Sequence, residues 1–576
     1  MYSKAFSLFT IVLTTAATIN AQQAGIIPPV DAYQYTVQKK LTCSNGAVVS
    51  AHPLASKVGV LILKKGGNAV DAAIATQLAL AVVYPGAGNI GGGGFMVARL
   101  QNGKNITLDY RETAPAAAKR DMYLDKSGNP QMNLSQNGHL ASGVPGTIAG
   151  IFASLKYARL PIKTLIEPAI ELAEKGFVIT ENEANSLNAA RDAFTKYNTV
   201  QPAFVKTGKW KLGDTLVQKD LANTLKRIRD LGQKGFYEGE TARLIAAEMS
   251  RGKGLVTLTD LKNYQAKERE PLLVPYKGYT IVTMPLPSSG GIIIAQVMKM
   301  IAGKDITRMG FESVAAVHLM VEAERRAYAD RAEFMGDADF VKVPVKKLTS
   351  DSYINQRISD FNPNKAGSSD TTRAGKINAE SEETTHLCVT DKDGNAVSIT
   401  TTLNGGYGSK TVVGGAGFLL NNEMDDFSVK PGVPNMYGAV GAEANAIAPG
   451  KRMLSSMTPA IVLKNNKPFI VLGTPGGTTI PTSVFQTLVD MLEFGMGPEE
   501  AINKPKFHHQ WQPDVVDVEK DFPPTVIAQL KTMGYKISVR NAIGRTEVIK
   551  IVYGQGHKVT IDAAGDKRGD DTAEGF

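Results

Sequence analysis

A polar stretch at residues 362–380 divides this chain and constrains its fold more than any other feature. It is rich in Gly, Ser, Thr and Asp with little apolar content, which predicts an exposed, flexible linker. Helical patterns dominate before it, over 145–335, whereas strand patterns begin directly after it. The length of 576 residues would allow about three or four separate domains. The abrupt change of pattern instead favours one α+β unit whose layers are built jointly by both halves.

Individual elements can be predicted from hydrophobic periodicity. Apolar residues recur at three- and four-residue intervals from Ser56 to Val83, and the part that begins at Asn68 predicts a strongly buried helix ending before Pro85. An apolar helix that carries a few charged residues, Arg331 among them, is predicted over 317–334. Strands are predicted at 95–100, 105–110, 385–390, 396–403, 458–463 and 468–472, with Asp393-Gly394 as a hairpin turn.

The N-terminus has the layout of a signal peptide. Lys4 is followed by an uncharged, mostly apolar stretch over 5–17, and Ile19-Asn20-Ala21 provides a small-residue exit. An ordinary buried helix is the alternative. The apolar part is too short to span a bilayer, and no later stretch is long and apolar enough to do so. We therefore expect residues 1–21 to be removed from an exported protein, periplasmic or secreted, that has no membrane partner.

The charge and cysteine content exclude some classes of partner and scaffold. The formal net charge is +9, but the basic residues are scattered among acidic and apolar ones, as in 219–227, which is typical of solvated helix faces. We expect no nucleic-acid partner. The two cysteines, Cys43 and Cys388, cannot form a disulfide framework. A single bridge between them stays open, and two unpaired buried thiols are favoured.

Three signals for other chemistry are weak. Gly86-Ala-Gly-Asn-Ile-Gly91 has the spacing of a dinucleotide-binding loop, but it follows a predicted helix and precedes a predicted strand, the reverse of what that loop needs. Tight packing or close backbone approach explains these glycines instead. His508-His509 lacks zinc-site spacing, so we expect no metal. Cys388 has no base and orienting partner nearby, which favours structural burial over a nucleophilic role.

Position alone makes Thr384 a candidate nucleophile. The linker ends, a threonine opens a predicted strand, and a hairpin follows. An N-terminal threonine can be both nucleophile and base, because its α-amino group has an ordinary pKa of about 7.7–8.0 and can take the hydroxyl proton. Before cleavage after Glu383 that nitrogen is an amide, so the precursor would be latent. Because threonine is common in strands, an ordinary strand start is the alternative.

Long motifs on both sides of the linker resemble those of γ-glutamyltranspeptidases. After it these are Thr384-Thr-His, Leu403-Asn-Gly-Gly-Tyr-Gly, Leu419-Leu-Asn-Asn-Glu-Met-Asp-Asp-Phe, Lys451-Arg-Met-Leu-Ser-Ser-Met-Thr-Pro and Gly473-Thr-Pro-Gly-Gly; before it they are Lys65-Gly-Gly-Asn-Ala-Val-Asp-Ala-Ala, Gly91-Gly-Gly-Gly-Phe-Met, Asp109-Tyr-Arg-Glu-Thr-Ala-Pro and Ala329-Asp-Arg-Ala-Glu-Phe-Met-Gly-Asp. The resemblance covers about residue 40 to the C-terminus. It implies an α+β N-terminal-nucleophile hydrolase fold, a four-layer αββα sandwich. It also implies self-cleavage into a large subunit (22–383) and a small catalytic subunit (384–576) that stay together as a heterodimer.

The resemblance also assigns roles to particular residues. The family has a catalytic group, a group that holds the α-carboxylate and α-ammonium of a γ-glutamyl substrate, and a tyrosine lid that excludes water. In this sequence the catalytic group is Thr384, Thr402, Gly476 and Gly477; the substrate-binding group is Arg111, Asn404, Glu423, Asp426, Ser455 and Ser456; the lid is Tyr437; and the autocleavage pair is Glu383 and Thr384.

Within these groups Arg111 would bind the carboxylate with both serines, and Asn404, Glu423 and Asp426 would accept from the ammonium. The oxyanion hole would be Gly476 and Gly477, which as isolated residues would be only a turn. An ion pair with Glu112 is the alternative role for Arg111. Asp425, next to Asp426, would point the other way if this segment were a strand. Some relatives carry glutamine at 423, so Glu423 adds a negative charge.

The implied reaction is a two-step acyl transfer without metal or organic cofactor. Thr384 would attack the γ-carbonyl of glutathione or a similar donor, release cysteinylglycine, and pass the γ-glutamyl group to water or to an amino acid or peptide. Two alternatives stay open. One is an amidase of the same fold that acts on another acyl group, such as a cephalosporin (glutaryl) acylase. The other is a cleaved, non-catalytic binding protein.

Overall fold

The computed structural model describes residues 30–372 and 384–576. Its strands are β1 (Lys40–Cys43), β2 (Gly46–Ser50), β3 (Gly93–Arg99), β4 (Asn105–Asp109), β5 (Phe177–Val178), β6 (Thr215–Leu216), β7 (Lys267–Arg269), β8 (Leu272–Tyr276), β9 (Tyr279–Thr283), β10 (Thr385–Asp391), β11 (Ala396–Thr402), β12 (Ala460–Lys464), β13 (Lys467–Gly473), β14 (Phe507–His508), β15 (Val516–Glu519), β16 (Ile537–Arg540), β17 (Glu547–Tyr553), β18 (Val559–Ala564) and β19 (Thr572–Gly575).

The helices alternate with these strands along the chain. They are α1 (Pro53–Lys64), α2 (Ala69–Val83), α3 (Met132–Gln136), α4 (Thr147–Ser154), α5 (Ile162–Lys175), α6 (Glu181–Tyr197), α7 (Lys219–Leu231), α8 (Lys234–Tyr237), α9 (Gly239–Gly252), α10 (Leu258–Asn263), α11 (Gly290–Ala302), α12 (Ile306–Met309), α13 (Val314–Phe334), α14 (Val345–Leu348), α15 (Asp351–Ile358), α16 (Thr479–Leu492), α17 (Pro498–Asn503) and α18 (Pro524–Thr532).

Two seven-stranded sheets form the centre of the molecule. Their strand orders are β19-β2-β10-β11-β3-β4-β7 and β1-β18-β17-β13-β12-β9-β8, and neighbouring strands run antiparallel throughout. Apolar side chains from both sheets pack face to face, among them Val97 and Cys388 of the first and Val282, Ile461 and Val471 of the second. Because each sheet is buried on its inner face, the sandwich has a continuous core.

Helices cover the outer face of each sheet. One cluster packs α1, α2, α5 and α7 against the sheet that contains β10, and another packs α11, α13 and α16 against the sheet that contains β13. The result is the four-layer αββα sandwich of the predicted N-terminal-nucleophile hydrolase fold. Both sheets combine strands from before and after the 362–380 stretch, so neither half has a complete core of its own.

Several predicted elements are confirmed. The buried helix is α2, whose residues are all buried and whose N-cap, Asn68, forms a capping box with Asp71. The predicted hairpin is β10–β11, and the Asp391 carboxylate accepts backbone N–H bonds from Asp393 (2.9 Å) and Asn395 (3.0 Å) in its turn. Gly394 there has a φ of +85°, which glycine adopts without strain.

Two predictions need correction. The region 145–335 also contains strands β5 to β9, which its mostly helical pattern did not predict. β7 is a short edge strand of charged residues, and β8 exposes Leu273 and contains Pro275, so neither has the apolar–polar alternation that predicts a strand. The linker is exposed at 362–365, but Ser369 is buried, its N–H donates to Asp514 (2.9 Å), and Arg325 contacts its hydroxyl. Residues 1–21 and 373–383, including Glu383, lie outside the described residues.

Candidate active site

Hairpin pairing places Thr384 opposite Thr402. In the β10–β11 register Thr385 pairs with Thr401, so the next residues outward, Thr384 and Thr402, lie side by side. Thr384 is 6% exposed, and the Thr402 hydroxyl accepts the N–H of Asn404 at 2.7 Å. Asn404 has a φ of 77°, a left-handed conformation that asparagine adopts more readily than most residues. The strand end is therefore fixed where a nucleophile is expected.

A small cavity lies at this strand end. Its lining includes most of the residues that the resemblance assigned to the site, drawn from widely separated parts of the chain. The lining is formed by Arg111, Arg331, Thr384, Thr402, Asn404, Asp426, Asn435, Tyr437, Ala439, Ser455, Ser456, Met457, Gly477, Thr478 and Ile480. Glu423 lies behind Arg111, and Gly476 precedes Gly477 at the cavity wall.

Arg111 is surrounded by carboxylates. Its guanidinium Nη1 lies 2.5 Å from Glu423 and 3.7 Å from Glu112, and its Nη2 contacts Asp426. The Arg111 side chain is 1% exposed, and both glutamates are fully buried. The ion pair with Glu112, considered as an alternative to substrate binding, is thus present alongside two pairs with predicted binding residues. The cluster has three carboxyl groups and one cation, so it can take up another positive charge by releasing a carboxyl proton.

The same geometry shifts the ionisation of this cluster. Burial raises the pKa of the Glu112 carboxyl to about 8, and the nearby Arg111 offsets part of that shift. Burial likewise raises the pKa of the Glu423 and Asp426 carboxyls, against the attraction of Arg111. Burial lowers the pKa of Arg111, but Glu423, Asp426 and Glu112 more than reverse this effect, so the guanidinium is held charged.

The short 3₁₀ turn Glu423–Asp426 presents its two aspartates in different directions. Asp426 faces the cavity, whereas Asp425 is fully buried and bonds to the Ser135 hydroxyl (2.5 Å) and the Met436 N–H (2.8 Å). The predicted opposite orientation of Asp425 is confirmed. The strand on which it was based is wrong, because these residues form a turn between loops.

Tyr437, the predicted lid residue, lines the cavity. Its hydroxyl donates to the Asn404 carbonyl oxygen at 2.5 Å, and its ring packs on Gly477, where an added Cβ would come within 2.7 Å of Tyr437 Cδ1. Asn435 holds the loop, since its side chain donates to Asp426 (2.8 Å) and accepts the Tyr437 N–H (3.0 Å). The lid is therefore anchored to a predicted substrate-binding carboxylate.

Gly476 and Gly477 form the turn that leads into α16. Their φ angles are 138° and 51°, both in the range that favours glycine. Among the described residues no hydrogen-bond acceptor is found for either N–H, whereas the Gly476 carbonyl oxygen accepts the Thr479 N–H at 2.9 Å. Backbone N–H groups at a helix N-terminus favour negative charge. The pair can thus stabilise an oxyanion in the cavity.

The serine pair is held by an arginine that the sequence analysis did not assign. Ser456 Oγ accepts from Arg331 Nη2 at 3.2 Å, and Arg331 Nε donates to Ser289 Oγ at 3.1 Å. The Ser289 hydroxyl in turn donates to the Ser455 carbonyl oxygen at 2.8 Å. The sequence offered one signal, a charged residue in an otherwise apolar helix, but periodicity cannot show which cavity such a residue enters.

Comparison with known proteins identifies the family of this site. A family model described as gamma-glutamyltranspeptidase matches residues 55–576. The chain belongs to the gamma-glutamyltranspeptidase family. It is 45% identical to the glutathione hydrolase proenzyme of Escherichia coli over 552 residues. This alignment covers 94% of this chain and 95% of that protein.

Solved structures support the same assignment. The gamma-glutamyltranspeptidase of Helicobacter pylori is 45% identical with a TM-score of 0.55, over 59% of this chain and 95% of that one. A cephalosporin acylase from Bacillus halodurans is 27% identical with a TM-score of 0.82, and the match covers 96% of this chain and 99% of that one. The predicted resemblance and fold are confirmed, and the chain is an enzyme of this family. Acylases of the same architecture are less similar to this chain, at 27% identity for that structure and 36% over 513 residues for an acylase ACY 1 proenzyme of Pseudomonas.

Candidate metal-binding clusters and candidate membrane-spanning helices are both absent from the described ranges. Within 30–372 and 384–576, no group of three or more His, Cys, Asp or Glu side chains could hold a metal ion. None of the helices in these ranges combines the length and apolarity that crossing a membrane requires. His508 and His509 are buried and bond to Thr482 (2.8 Å) and Asp514 (3.2 Å), respectively, as structural side chains do.

Proposed function

We propose that this chain is a γ-glutamyltransferase and glutathione hydrolase with Thr384 as its nucleophile. The observation that carries the proposal is the cavity in which Thr384, directly before β10, lies next to a carboxylate-rich wall, two serines and the Gly476–Gly477 turn. A γ-glutamyl group has a carboxylate, an ammonium and a side-chain carbonyl, and each finds a partner of suitable chemistry there. Membership of the family supports the same reaction.

Charge complementarity supports the orientation of the donor. The Arg111 cluster has more carboxylates than cations, so the α-ammonium would bind there, against Asp426, Glu423 and the Asn404 side chain. The α-carboxylate would bind Arg111 and the Ser455–Ser456 pair. The γ-carbonyl would then reach Thr384, with its oxygen directed to Gly476 and Gly477.

The reaction proceeds in two displacements. The freed α-amine of Thr384 takes the hydroxyl proton while Oγ attacks the γ-carbonyl, and Gly476 and Gly477 stabilise the oxyanion, each N–H contributing about 3–4 kcal/mol. The C–N bond of the donor breaks, and the leaving amine of cysteinylglycine takes the proton. Water or the amine of an amino acid or peptide then attacks the ester, which restores Thr384. The Tyr437 lid limits the access of water and favours the amine acceptor.

The same hydroxyl would produce the mature enzyme. Thr384 Oγ attacks the Glu383 carbonyl, the acyl group shifts from nitrogen to oxygen, and hydrolysis frees both Glu383 and the α-amine. The products are the large subunit (22–383), once the signal peptide 1–21 is removed on export, and the small subunit (384–576). Their separation would break the β10–β2 and β11–β3 pairings, so the two subunits stay together as a heterodimer.

One experiment tests nucleophile and cleavage together. The purified protein is run on a denaturing gel, both bands are sequenced from their N-termini, and hydrolysis of a γ-glutamyl anilide is measured. We expect a small band that begins Thr-Thr-His-Leu, and for Thr384→Ala a single uncut, inactive band. Thr385→Val, which loses the neighbouring hydroxyl, is the matched control and should still be cut.

The alternatives predict different outcomes. A wild-type protein that is active yet uncut contradicts the proposed mechanism. Faster turnover of a glutaryl anilide than of the γ-glutamyl anilide would identify an acylase. A protein that is cut but turns over neither anilide would be the non-catalytic binding protein.

A further inference from the structure

Arg331 lines the cavity but has no role in the proposed function. It lies near the C-terminal end of α13 and is 7% exposed. Its Nε and Nη2 donate to the hydroxyls of Ser289 and Ser456, both of which are neutral acceptors. Because a guanidinium stays protonated in proteins, Arg331 places a buried positive charge in the same cavity as Thr384.

Arg331 differs from the other arginines near it in that no carboxylate is in contact with it, although the charge of Asp426 in the same cavity attracts it. Arg111 is paired with three carboxylates, and Arg325 and Arg326, on the same helix as Arg331, both pair with Glu322. Within the described residues no carboxylate lies within 4.0 Å of the Arg331 guanidinium. A buried charge is costly unless it is paired, so this end of the cavity favours an anion.

We propose that Arg331 is a second cation for the α-carboxylate of the γ-glutamyl group, next to Ser456. This inference rests on the proposed function, which supplies the anion. Ser456 Oγ already accepts from Arg331, so its own proton is directed elsewhere and can be donated to the substrate carboxylate. The link from Arg331 through Ser289 to the Ser455 carbonyl oxygen fixes both serines relative to the same guanidinium.

The two ends of the donor then bind opposite charges. Arg331 and the serines form an end rich in donors, whereas Glu423 and Asp426, next to Arg111, form an end rich in acceptors. Loss of Arg331 should therefore weaken ligands that carry an α-carboxylate and spare those that do not. Such selectivity would not follow from a purely structural role, which would affect all ligands alike.

Three small ligands distinguish binding of the α-carboxylate from binding of the α-ammonium. L-glutamate has both the α-carboxylate and the ammonium, glutarate lacks the ammonium, and 4-aminobutanoate lacks the α-carboxylate. Their dissociation constants are measured by isothermal titration calorimetry with the mature wild type, Arg331→Gln and Arg331→Lys. Arg326→Lys, a buried arginine of the same helix that pairs with Glu322, is the control for substitution within α13.

For Arg331→Gln we expect glutamate and glutarate to bind on the order of 100-fold more weakly, whereas 4-aminobutanoate changes less than about threefold. Arg331→Lys keeps the charge and should lose no more than about tenfold, again only for the two ligands with an α-carboxylate. If the Arg331→Gln precursor does not cleave itself, the dissociation constants of the three ligands for Arg331→Lys decide whether the inference holds.

Equal weakening of all three ligands, or no weakening, overturns the inference while the proposed function stands. A wild type that binds none of the three overturns both. Arg326→Lys should bind all three ligands as the wild type does, and a carboxylate-selective loss in that variant would also overturn the assignment to Arg331.

Discussion

Gly477→Ala tests the contact between the oxyanion turn and the lid. A Cβ added at Gly477 would lie 2.7 Å from Tyr437 Cδ1, closer than real Cβ atoms approach, and 3.0 Å from Cε1. The ring cannot easily retreat, because its hydroxyl is bonded to the Asn404 carbonyl oxygen at 2.5 Å. We therefore expect the Gly477 peptide to shift by several tenths of an ångström, which turns its N–H away from the oxyanion.

The size of the effect follows from two contributions. Loss of one oxyanion donor lowers kcat by about 100- to 1000-fold. The φ of 51° at Gly477 adds a left-handed strain of about 1–2 kcal/mol, which lowers stability but need not change the rate. Gly495→Ala is the matched control, because Gly495 has a φ of 71° and an added Cβ there meets nothing within 4 Å. That variant should carry the strain and keep its kcat.

The assay compares γ-glutamyl anilide hydrolysis by the wild type, Gly477→Ala, Tyr437→Ala and the double variant. Without the ring the added methyl group has space, so Gly477→Ala should cost at least about tenfold less when Tyr437 is already alanine, a coupling of about 1.4 kcal/mol. An identical loss in both backgrounds would show that the ring does not press on this turn in the working enzyme.

Three further predictions concern the buried carboxylates. Asp425→Asn should lower the ratio of transfer to hydrolysis about threefold or more, measured at about pH 8.5 with and without a dipeptide acceptor. Above its raised pKa of about 7 the Asp425 carboxylate is charged, and the bond that it accepts from the Met436 N–H holds the lid loop. Burial raises the folded-state pKa of Glu112 from 4.5 to about 8, so the stability it contributes is complete below pH 4.5 and is lost as the pH rises through 8. Relative to Glu112→Gln, the wild type should therefore lose thermal stability between pH 5.5 and 8.5, by up to about 1.4 kcal/mol per pH unit. Glu423→Gln should reduce the number of protons released on glutamate binding, measured by calorimetry in two buffers, because the incoming ammonium favours ionised carboxylates around Arg111.

Each of these has a clear contrary result. An unchanged transfer ratio in Asp425→Asn means that the lid loop does not depend on this bond. Parallel pH profiles of the wild type and Glu112→Gln mean that this carboxyl titrates as it does in the unfolded chain. Equal proton release before and after Glu423→Gln means that another group loses the proton.

The sequence predicted those helices and strands whose turns and apolar periodicity are set by neighbouring residues. The Asp393-Gly394 turn and the alternating threonines gave the β10–β11 hairpin, and this places Thr384 at a strand end opposite Thr402. The apolar run after Asn68 gave α2. The strands over 267–283 were missed, because β7 consists of three charged residues and β8 has an exposed leucine and a proline, so neither shows the alternation that predicts a strand.

The sequence by itself also determined which chemistry is available. Its motifs predict a nucleophile, a serine pair and a glycine turn, because these are single residues in recognisable segments. Only the tertiary structure decided how the charges meet. It placed Arg111 among three carboxylates, packed the Tyr437 ring on Gly477, and brought Arg331 to Ser456 across 125 positions of the chain. Electrostatic energy depends on distance and burial, which are properties of the packed layers, and a linear pattern contains neither.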